Sequence, residues 1–322
     1  MVTKLSIVVP AKDEAASLPE LLRWIDQVMV SNQFSYEVIL IDDGSTDETW
    51  QTIERLAAGS SNIRGVRFNR NFGKSAALQT GFNLAKGEIV ITMDADLQDN
   101  PEEIPSMVAM IERQGFDLVS GWKRKRHDPV AKTLPSKFFN LVTRKISKIP
   151  LHDFNCGLKA YRQVVVKNIH VYGEMHRYIP LLAKWAGFVR IGEKEVSHQE
   201  RKFGVSKYGW ERMMRGFLDL LTITFVGKFS RRPMHFFGSW GVVWFLVGLG
   251  LTAKILWDKI DSVFFSHVPL NREVTDQPIF YLALVAILIG AQLFLTGFLA
   301  ELFTGLRASR KDYLIIEKVN ID

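Results

Sequence analysis

The chain has 322 residues, 47% of them apolar and 23% charged, with a formal net charge of +7 and one cysteine, Cys156. The length fits about two domains, and a lone cysteine excludes an intrachain disulfide and suits a reducing compartment. The basic excess flanks two long apolar blocks, which points to anionic lipid and phosphate and away from nucleic acid.

The first apolar run, LSIVVP at 5–10, is too short for a signal peptide and reads as a strand. YEVILID (36–42), IRGVRF (63–68), EIVITMD (88–94) and DLVSGW (117–122) read the same way. Between them, 15–29, 46–58, 74–86 and 101–114 carry helical spacing. Near-continuous apolar strands alternating with helices predict an α/β domain on a mostly parallel sheet covered on both faces. Ligands bind such sheets at the carboxyl ends of the strands. The polar clusters fall there: Glu14 after the first strand, Asp42 and Asp43 after the second, Arg70 and Lys74 after the third, Asp94 and Asp96 after the fourth.

In GEIVITMDADLQDNPEE (87–103), five acids crowd behind an apolar strand. Asn100-Pro101-Glu102-Glu103 reads as a helix start, with a cap, a proline at the first position and acids favoured by the helix dipole. That accounts for Asp99, Glu102 and Glu103. Asp94 and Asp96 would point the same way if the chain stays extended. Two such carboxylates are expected to share a divalent cation, Mg²⁺ or Mn²⁺, with Gln98 adding a carbonyl. Asp42 and Asp43, in DDGSTD, can accept hydrogen bonds from a base or ribose, with Ser45 or Thr46 capping the next helix. The Gly-Lys-Ser at 73–75 is not a Walker A loop, because its first glycine would fall at Phe68. His127, His152, His176 and His198 lie at no metal-ligand spacing and read as surface or hydrogen-bonding residues. Arg177, in GEMHRYIP, could reach a sugar or a nucleotide.

Further along, 134–149 and 208–228 mix apolar and basic residues like helices lying in a membrane interface. The blocks at 235–257 and 279–303 each exceed the roughly 20 residues a bilayer requires. Lysines and arginines gather before the first and after the second, so both termini are expected in the cytoplasm. Lys254 and Glu301 lie near span ends and can snorkel. Gly238, Gly241, Gly248, Gly290 and Gly297 permit close helix packing, within the hairpin or between copies in a homo-oligomer.

VVPAKDE, DDGSTD, RNFGKSAALQTGF, DADLQDNPEE, GWKRKRHD, DFNCGLKAYR, HQERKFGVSKY and a C-terminal two-span hairpin, in this order, resemble family-2 glycosyltransferases of the Rossmann-like GT-A fold. The closer likeness is to the polyprenyl-phosphate branch, with dolichyl-phosphate mannose synthases and bacterial undecaprenyl-phosphate sugar transferases. The resemblance implies that Asp94, Asp96 and Gln98 hold a metal under the donor diphosphate, and that Pro10, Glu14, Asp42 and Asp43 hold the nucleoside. It implies a diphosphate clamp from Arg201 and Lys207, and an acceptor lipid-phosphate site from Lys123, Arg126 and Ser136. Asp153 would help the acceptor as base or orienter, or cap a turn. Two positions depart from the pattern: Asp13 stands where the family often has Asn, and Lys123 where it often has Arg, which replaces a bidentate fork by a point charge.

The organisation this implies is a cytoplasmic catalytic domain at 1–207, a juxtamembrane interfacial helix at 208–232, two membrane spans within 233–305 and a cytoplasmic tail at 306–322. The expected reaction is inverting, metal-dependent sugar transfer from a UDP- or GDP-sugar to polyprenyl phosphate at the cytoplasmic membrane face. One alternative is a processive polysaccharide synthase, against which stand the missing Gln-x-x-Arg-Trp motif and only two spans. The other is a non-catalytic membrane module binding lipid or nucleotide, against which stand the intact Asp94, Asp96, Arg201 and Lys207.

Overall fold

The computed structural model describes residues 3–124, 140–141, 143–145, 147–197, 199, 233–265 and 273–307. They fall in two compact units, one within the first 221 residues and one between 222 and 312.

The first unit is a seven-stranded sheet in the order β3-β2-β1-β4-β6-β5-β7. Its strands are β1 (Leu5–Ala11), β2 (Tyr36–Asp42), β3 (Ile63–Arg67), β4 (Ile89–Thr92), β5 (Leu118–Trp122), β6 (Lys159–Arg162) and β7 (Ile191–Glu195). The connecting helices are α1 (Leu18–Ser31), α2 (Thr49–Ala58), α3 (Lys74–Leu84), α4 (Ile104–Gln114), α5 (Gln163–Asn168) and α6 (Ile179–Trp185). The central strands read as continuous apolar runs because both faces are covered. Leu5, Ile7 and Val9 of β1 are wholly buried against Leu21, Ile25 and Met29 of α1 and Met107 of α4 in one core. Each such side chain contributes about 1.5–3 kcal/mol of burial. The five expected strands are present, whereas β6 and β7 lie beyond what the apolar runs indicated.

β6 is what makes the sheet mixed. It lies antiparallel between β4 and β5, with Thr92 opposite Lys159 and Ser120 opposite Lys159. Running backwards, it brings the residues just before it to the edge where β1, β2, β4 and β5 end. Segment 152–158 and Lys159 thereby join the polar clusters of the parallel strands.

The second unit is a helical hairpin, α7 (Pro233–Ile260) and α8 (Pro278–Arg307), with a π-helical turn Asp261–Phe265 extending α7. A 28-residue helix is about 42 Å long, more than the roughly 30 Å of a bilayer's hydrocarbon. Mean hydropathy reaches 1.6 over Pro233–Phe265 and 2.3 over Pro278–Phe303, and only about a fifth of either span is buried. A core helix of a soluble domain would be mostly covered. Here Trp244, Leu246, Trp257, Leu288 and Phe298 face outward. The glycines serve the hairpin itself: a Cβ on Gly241 would lie 2.9 Å from the Gly290 carbonyl, and one on Gly290 would lie 2.8 Å from that of Gly241. Glu301 accepts the Met234 N–H at 3.2 Å, so it answers an open donor in the first turn of α7.

Candidate active site at the carboxyl ends of the strands

The β1–β2 half of the edge is shaped by acids that bind backbone. Asp42 is fully buried, with Oδ1 accepting the Ser45 N–H at 2.9 Å and Oδ2 3.4 Å from Arg67 Nε. Asp43 accepts the N–H groups of Phe72 at 2.7 Å and Gly73 at 3.0 Å, which fixes the loop that leads into α3. Gly44 has φ +65°, and a Cβ there would collide with the Arg70 backbone, so glycine is needed twice over. Asp13 has φ +57°, a left-handed conformation that Asn and Asp tolerate better than most residues. That accounts physically for its departure from Asn. Its Oδ1 accepts the Thr46 N–H at 2.9 Å, and Ser45 Oγ accepts the Asp13 N–H at 2.9 Å. Neither Ser45 nor Thr46 caps α2: Glu48 stands at its N-cap without a side-chain capping bond, and Asp47 just before it accepts the Thr49 N–H at 3.0 Å. Glu14 Oε2 accepts from the Ser17 hydroxyl at 2.8 Å, and Pro10 is half-buried at the end of β1. Lys12, Gly44, Thr46, Arg67, Arg70 and Asn71 line a cleft of about 520 Å³ here.

The β4 side is organised by lysines. Met93 still bonds to Val8, but the chain then turns at Leu97, φ +60°, and does not stay extended. Asp94 is ion-paired to Lys74 at the start of α3. Asp96 is nearly buried and accepts the Gln98 N–H at 3.2 Å. The Gln98 carbonyl accepts the Gln199 N–H at 3.1 Å. Burial alone would raise the Asp94 pKa, but the charge and hydrogen bond of Lys74, with the charges of Lys123 and Lys159, bring it down to about 2.

Asp99 is a residue the helix-start reading misassigned. Asn100 does cap the turn Pro101–Glu103, accepting the Glu102 N–H at 2.9 Å. Asp99 turns inward instead: it is buried, its Oδ2 accepts the Asp94 N–H at 3.1 Å, and its Oδ1 lies 2.7 Å from Lys123 Nζ. Burial opposes the charge on Lys123, yet Asp99 outweighs it and raises the lysine's pKa. In this structure Lys123 is engaged with the Asp99 carboxylate, and a lipid phosphate would have to share it. Glu103 is likewise more than a dipole acid, since it pairs with Lys194 and accepts from the Ser197 hydroxyl at 3.1 Å.

The segment before β6 closes the site. Asp153 is buried, and its Oδ1 accepts the Asn155 N–H at 3.0 Å. Glu193 of β7 holds this turn by accepting the His152 N–H at 2.6 Å and the Asp153 N–H at 3.0 Å, while His152 stacks on Trp122 at 4.3 Å. Lys159 is buried with its ammonium on the Cys156 carbonyl, and burial lowers its pKa. Burial pushes the Cys156 thiol up to about 12, so it is a packing residue and not a nucleophile. Lys159 and His176 were not anticipated at this edge. The position of Lys159 follows from the reversed direction of β6, and that of His176 from a contact with Ser75. Arg126, Ser136, Arg201 and Lys207 lie outside the described residues, as does 208–232.

The donor set at Asp94 and Asp96 fits a divalent cation in chemistry. Both supply hard carboxylate oxygens, and among the described residues no group of three or more His, Cys, Asp or Glu forms a closed cage. Two carboxylates suit an ion that draws its other ligands from phosphate and water. Gly157 supports the cradle: a Cβ there would come within 2.6 Å of Asp94 Oδ2 and 2.9 Å of Asp99 Oδ2.

The sequence matches the description "Glycosyl transferase family 2" over residues 6–169, slightly more than half of the chain. It is 40% identical to a dodecaprenyl-phosphate galacturonate synthase of Rhizobium johnstonii, covering 93% of this chain and 87% of that one. The chain belongs to glycosyltransferase family 2. This glycosyltransferase is also 36% identical to an undecaprenyl-phosphate 4-deoxy-4-formamido-L-arabinose transferase of Shewanella sediminis, over 96% of this chain and 91% of the relative. Among solved structures it resembles glucosyl-3-phosphoglycerate synthase of Mycobacterium tuberculosis, crystallised with Mn²⁺ and UDP-glucose. That match has a TM-score of 0.52 at 22% identity and covers 69% of this chain and 78% of that one. Mannosyl-3-phosphoglycerate synthase of Rubrobacter xylanophilus matches with a TM-score of 0.56 at 16% identity, over 69% and 74% of the two chains. At these identities the structures establish the fold, which is GT-A.

Proposed function

We propose that this glycosyltransferase moves a sugar from a nucleotide-sugar to a polyprenyl phosphate at the cytoplasmic membrane face, with inversion at the anomeric carbon. The observation that carries the reading is Asp94, just past the end of β4, set beside Lys74 and within the field of Lys123 and Lys159, with the buried Asp96 two residues further on. The two relatives' names support the acceptor class, for each is named for a polyprenyl phosphate. They differ in the sugar, so UDP- and GDP-linked donors both stay in the screen.

Asp94 and Asp96, with Gln98, would hold Mg²⁺ or Mn²⁺, whose chemistry here is to neutralise charge on the departing diphosphate. Lys74 is the cation already beside Asp94, and it would meet the diphosphate as well. Pro10, Glu14, Asp42, Asp43 and Arg70 would line the nucleoside side, the two aspartates mainly by shaping its loops. Arg201 and Lys207 keep the diphosphate-clamp role, and Lys123, Arg126 and Ser136 the acceptor-phosphate role, that the resemblance implies. Asp153, held by the Glu193 turn, would orient the acceptor or take its proton. A strong base is unnecessary, because a phosphate monoester with a second pKa of about 6 is already largely dianionic.

The hairpin would span the bilayer with both termini and the 1–207 domain in the cytoplasm, matching an acceptor whose isoprenoid tail stays in the membrane. In the interfacial segment expected at 134–149, Asn140, Thr143 and Ser147 face inward and Leu141 outward, a polarity that suits contact with lipid. The test is incubation of the purified protein with polyprenyl phosphate, Mn²⁺ and labelled UDP- and GDP-sugars. Label entering chloroform as a mild-acid-labile product supports the reading; polymer, or no transfer from any donor, overturns it.

A further inference from the structure

Ser75 is the second residue of α3, directly after Lys74, whose ammonium sits on Asp94. Its hydroxyl is buried and meets two atoms of one distant residue. The His176 backbone N–H donates to Ser75 Oγ at 3.0 Å, and His176 Nδ1 lies 3.1 Å from the same oxygen. A buried hydroxyl must donate its proton somewhere. Among the described residues, Nδ1 is the acceptor it has. The network therefore assigns Nδ1 as acceptor and puts the ring proton on Nε2. Burial, with Lys74 and Arg177 nearby, holds the His176 pKa well below its ordinary value, so the ring stays neutral. Its side chain is 14% exposed, and Nε2 has no hydrogen-bond partner among the described residues.

We infer that His176 determines donor specificity: its Nε2–H, aimed by Ser75 beside the Lys74–Asp94 pair, donates to an oxygen of the transferred sugar. The inference rests on the proposed use of a nucleotide-sugar donor. A neutral, fixed donor is well suited to the task. It selects a hydroxyl or carboxylate oxygen by position, and a sugar lacking that oxygen leaves a mostly buried N–H unpaired. With its proton on Nε2 the ring is also in the wrong tautomer to bind a metal through that atom. Arg177 is mostly buried and 3.7 Å from Glu174, whose Oε2 also lies 4.0 Å from His176 Nδ1, beyond hydrogen-bond distance, so Ser75 keeps that nitrogen.

The experiment compares binding of nucleotide-sugars with binding of the bare nucleoside diphosphates, by calorimetry with Mn²⁺ and without acceptor. For His176→Phe and His176→Ala, the donor preferred by the wild type should weaken about 10- to 100-fold, while the nucleoside diphosphate changes less than about twofold. His176→Gln, which keeps an N–H donor, should recover part of the loss. Discrimination among sugars differing in one oxygen should collapse in Phe and Ala alike. Equal losses for donor and diphosphate, no loss for either, or weakened Mn²⁺ binding without nucleotide would each overturn the assignment. So would a wild type that binds no nucleotide-sugar differently from its diphosphate. If Phe fails to fold, Ala and Gln decide the matter. A wild type that binds donor selectively but transfers nothing to polyprenyl phosphate would end the acceptor reading and leave His176 standing.

Discussion

The acids after β2 and those after β4 look alike in the sequence, each a close pair at a strand end, but the folded protein answers their charges with different partners. Asp42 and Asp43 are met chiefly by backbone N–H groups, of Ser45, Phe72 and Gly73. Asp94 and Asp99 are met by the ammonium groups of Lys74 and Lys123. A backbone amide cannot leave its carboxylate without reshaping the loop. A lysine can exchange one anion for another, and a carboxylate can exchange a lysine for a metal ion. Asp42 and Asp43 therefore build the edge, whereas Asp94 and Asp99 hold partners that an incoming ligand could exchange.

The sharpest way to break this comparison is to remove charge on the β4 side. Asp96→Asn should cut turnover about 10³-fold or more, the scale of several kcal/mol of lost charge stabilisation. The thermal midpoint of the purified protein in detergent should barely move. On the β2 side the expectation is reversed. Asp43→Ala leaves the Phe72 and Gly73 N–H groups without their acceptor, which should cost about 1–3 kcal/mol of stability. Its activity should fall by far less than that of Asp96→Asn once the protein is assayed well below its melting point. An Asp96→Asn enzyme that turns over normally, or an Asp43→Ala protein as stable as the parent but inactive, would invert the assignment.

The sequence exposes the five strands whose runs are apolar enough to be buried on both faces, and the four helices between them. It does not expose β6 or β7, because KAYR and IGEKE are short and charged, and their apolar residues are too few to set a period. The antiparallel direction of β6 is a consequence of packing, yet it decides that Lys159 reaches the site. The position of Asp94 and Asp96 was legible, but the turn at Leu97 was not, since a non-glycine residue with positive φ leaves no local signature. Asp99 was hidden by its neighbours: Asn100 and Pro101 make a convincing helix start, and the acid before them was absorbed into it. His176 depends on a contact with Ser75, 101 residues away. In the hairpin, glycine spacing announced close packing, and the approaches of Gly241 to Gly290 and of Gly248 to the Ala283 carbonyl show that the hairpin itself uses it.

The smallest expected effect concerns pH and the lysine partnership itself. Lys74, Lys123 and Lys159 hold the folded Asp94 carboxyl at about 2, below the 3.8 of an ordinary aspartate. With the folded value depressed, the ionised group stabilises the fold fully above about pH 4, the unfolded value. That contribution is lost as pH falls through 4 towards 2. The experiment is a set of thermal midpoints for wild type and Asp94→Asn, without metal, from pH 6 to pH 2. The two proteins share every other titrating group, so their difference isolates Asp94. It should be constant from pH 6 to about pH 4.5 and shift against the wild type below that. The shift should be smaller than the pKa change alone would give, because the side chain is about a third exposed and solvent screens its partners. In Lys74→Met the same acid-dependent difference should shrink. A difference that stays flat down to pH 2 would mean the lysines do not hold Asp94 charged, and the contrast between the two strand ends would lose its electrostatic half.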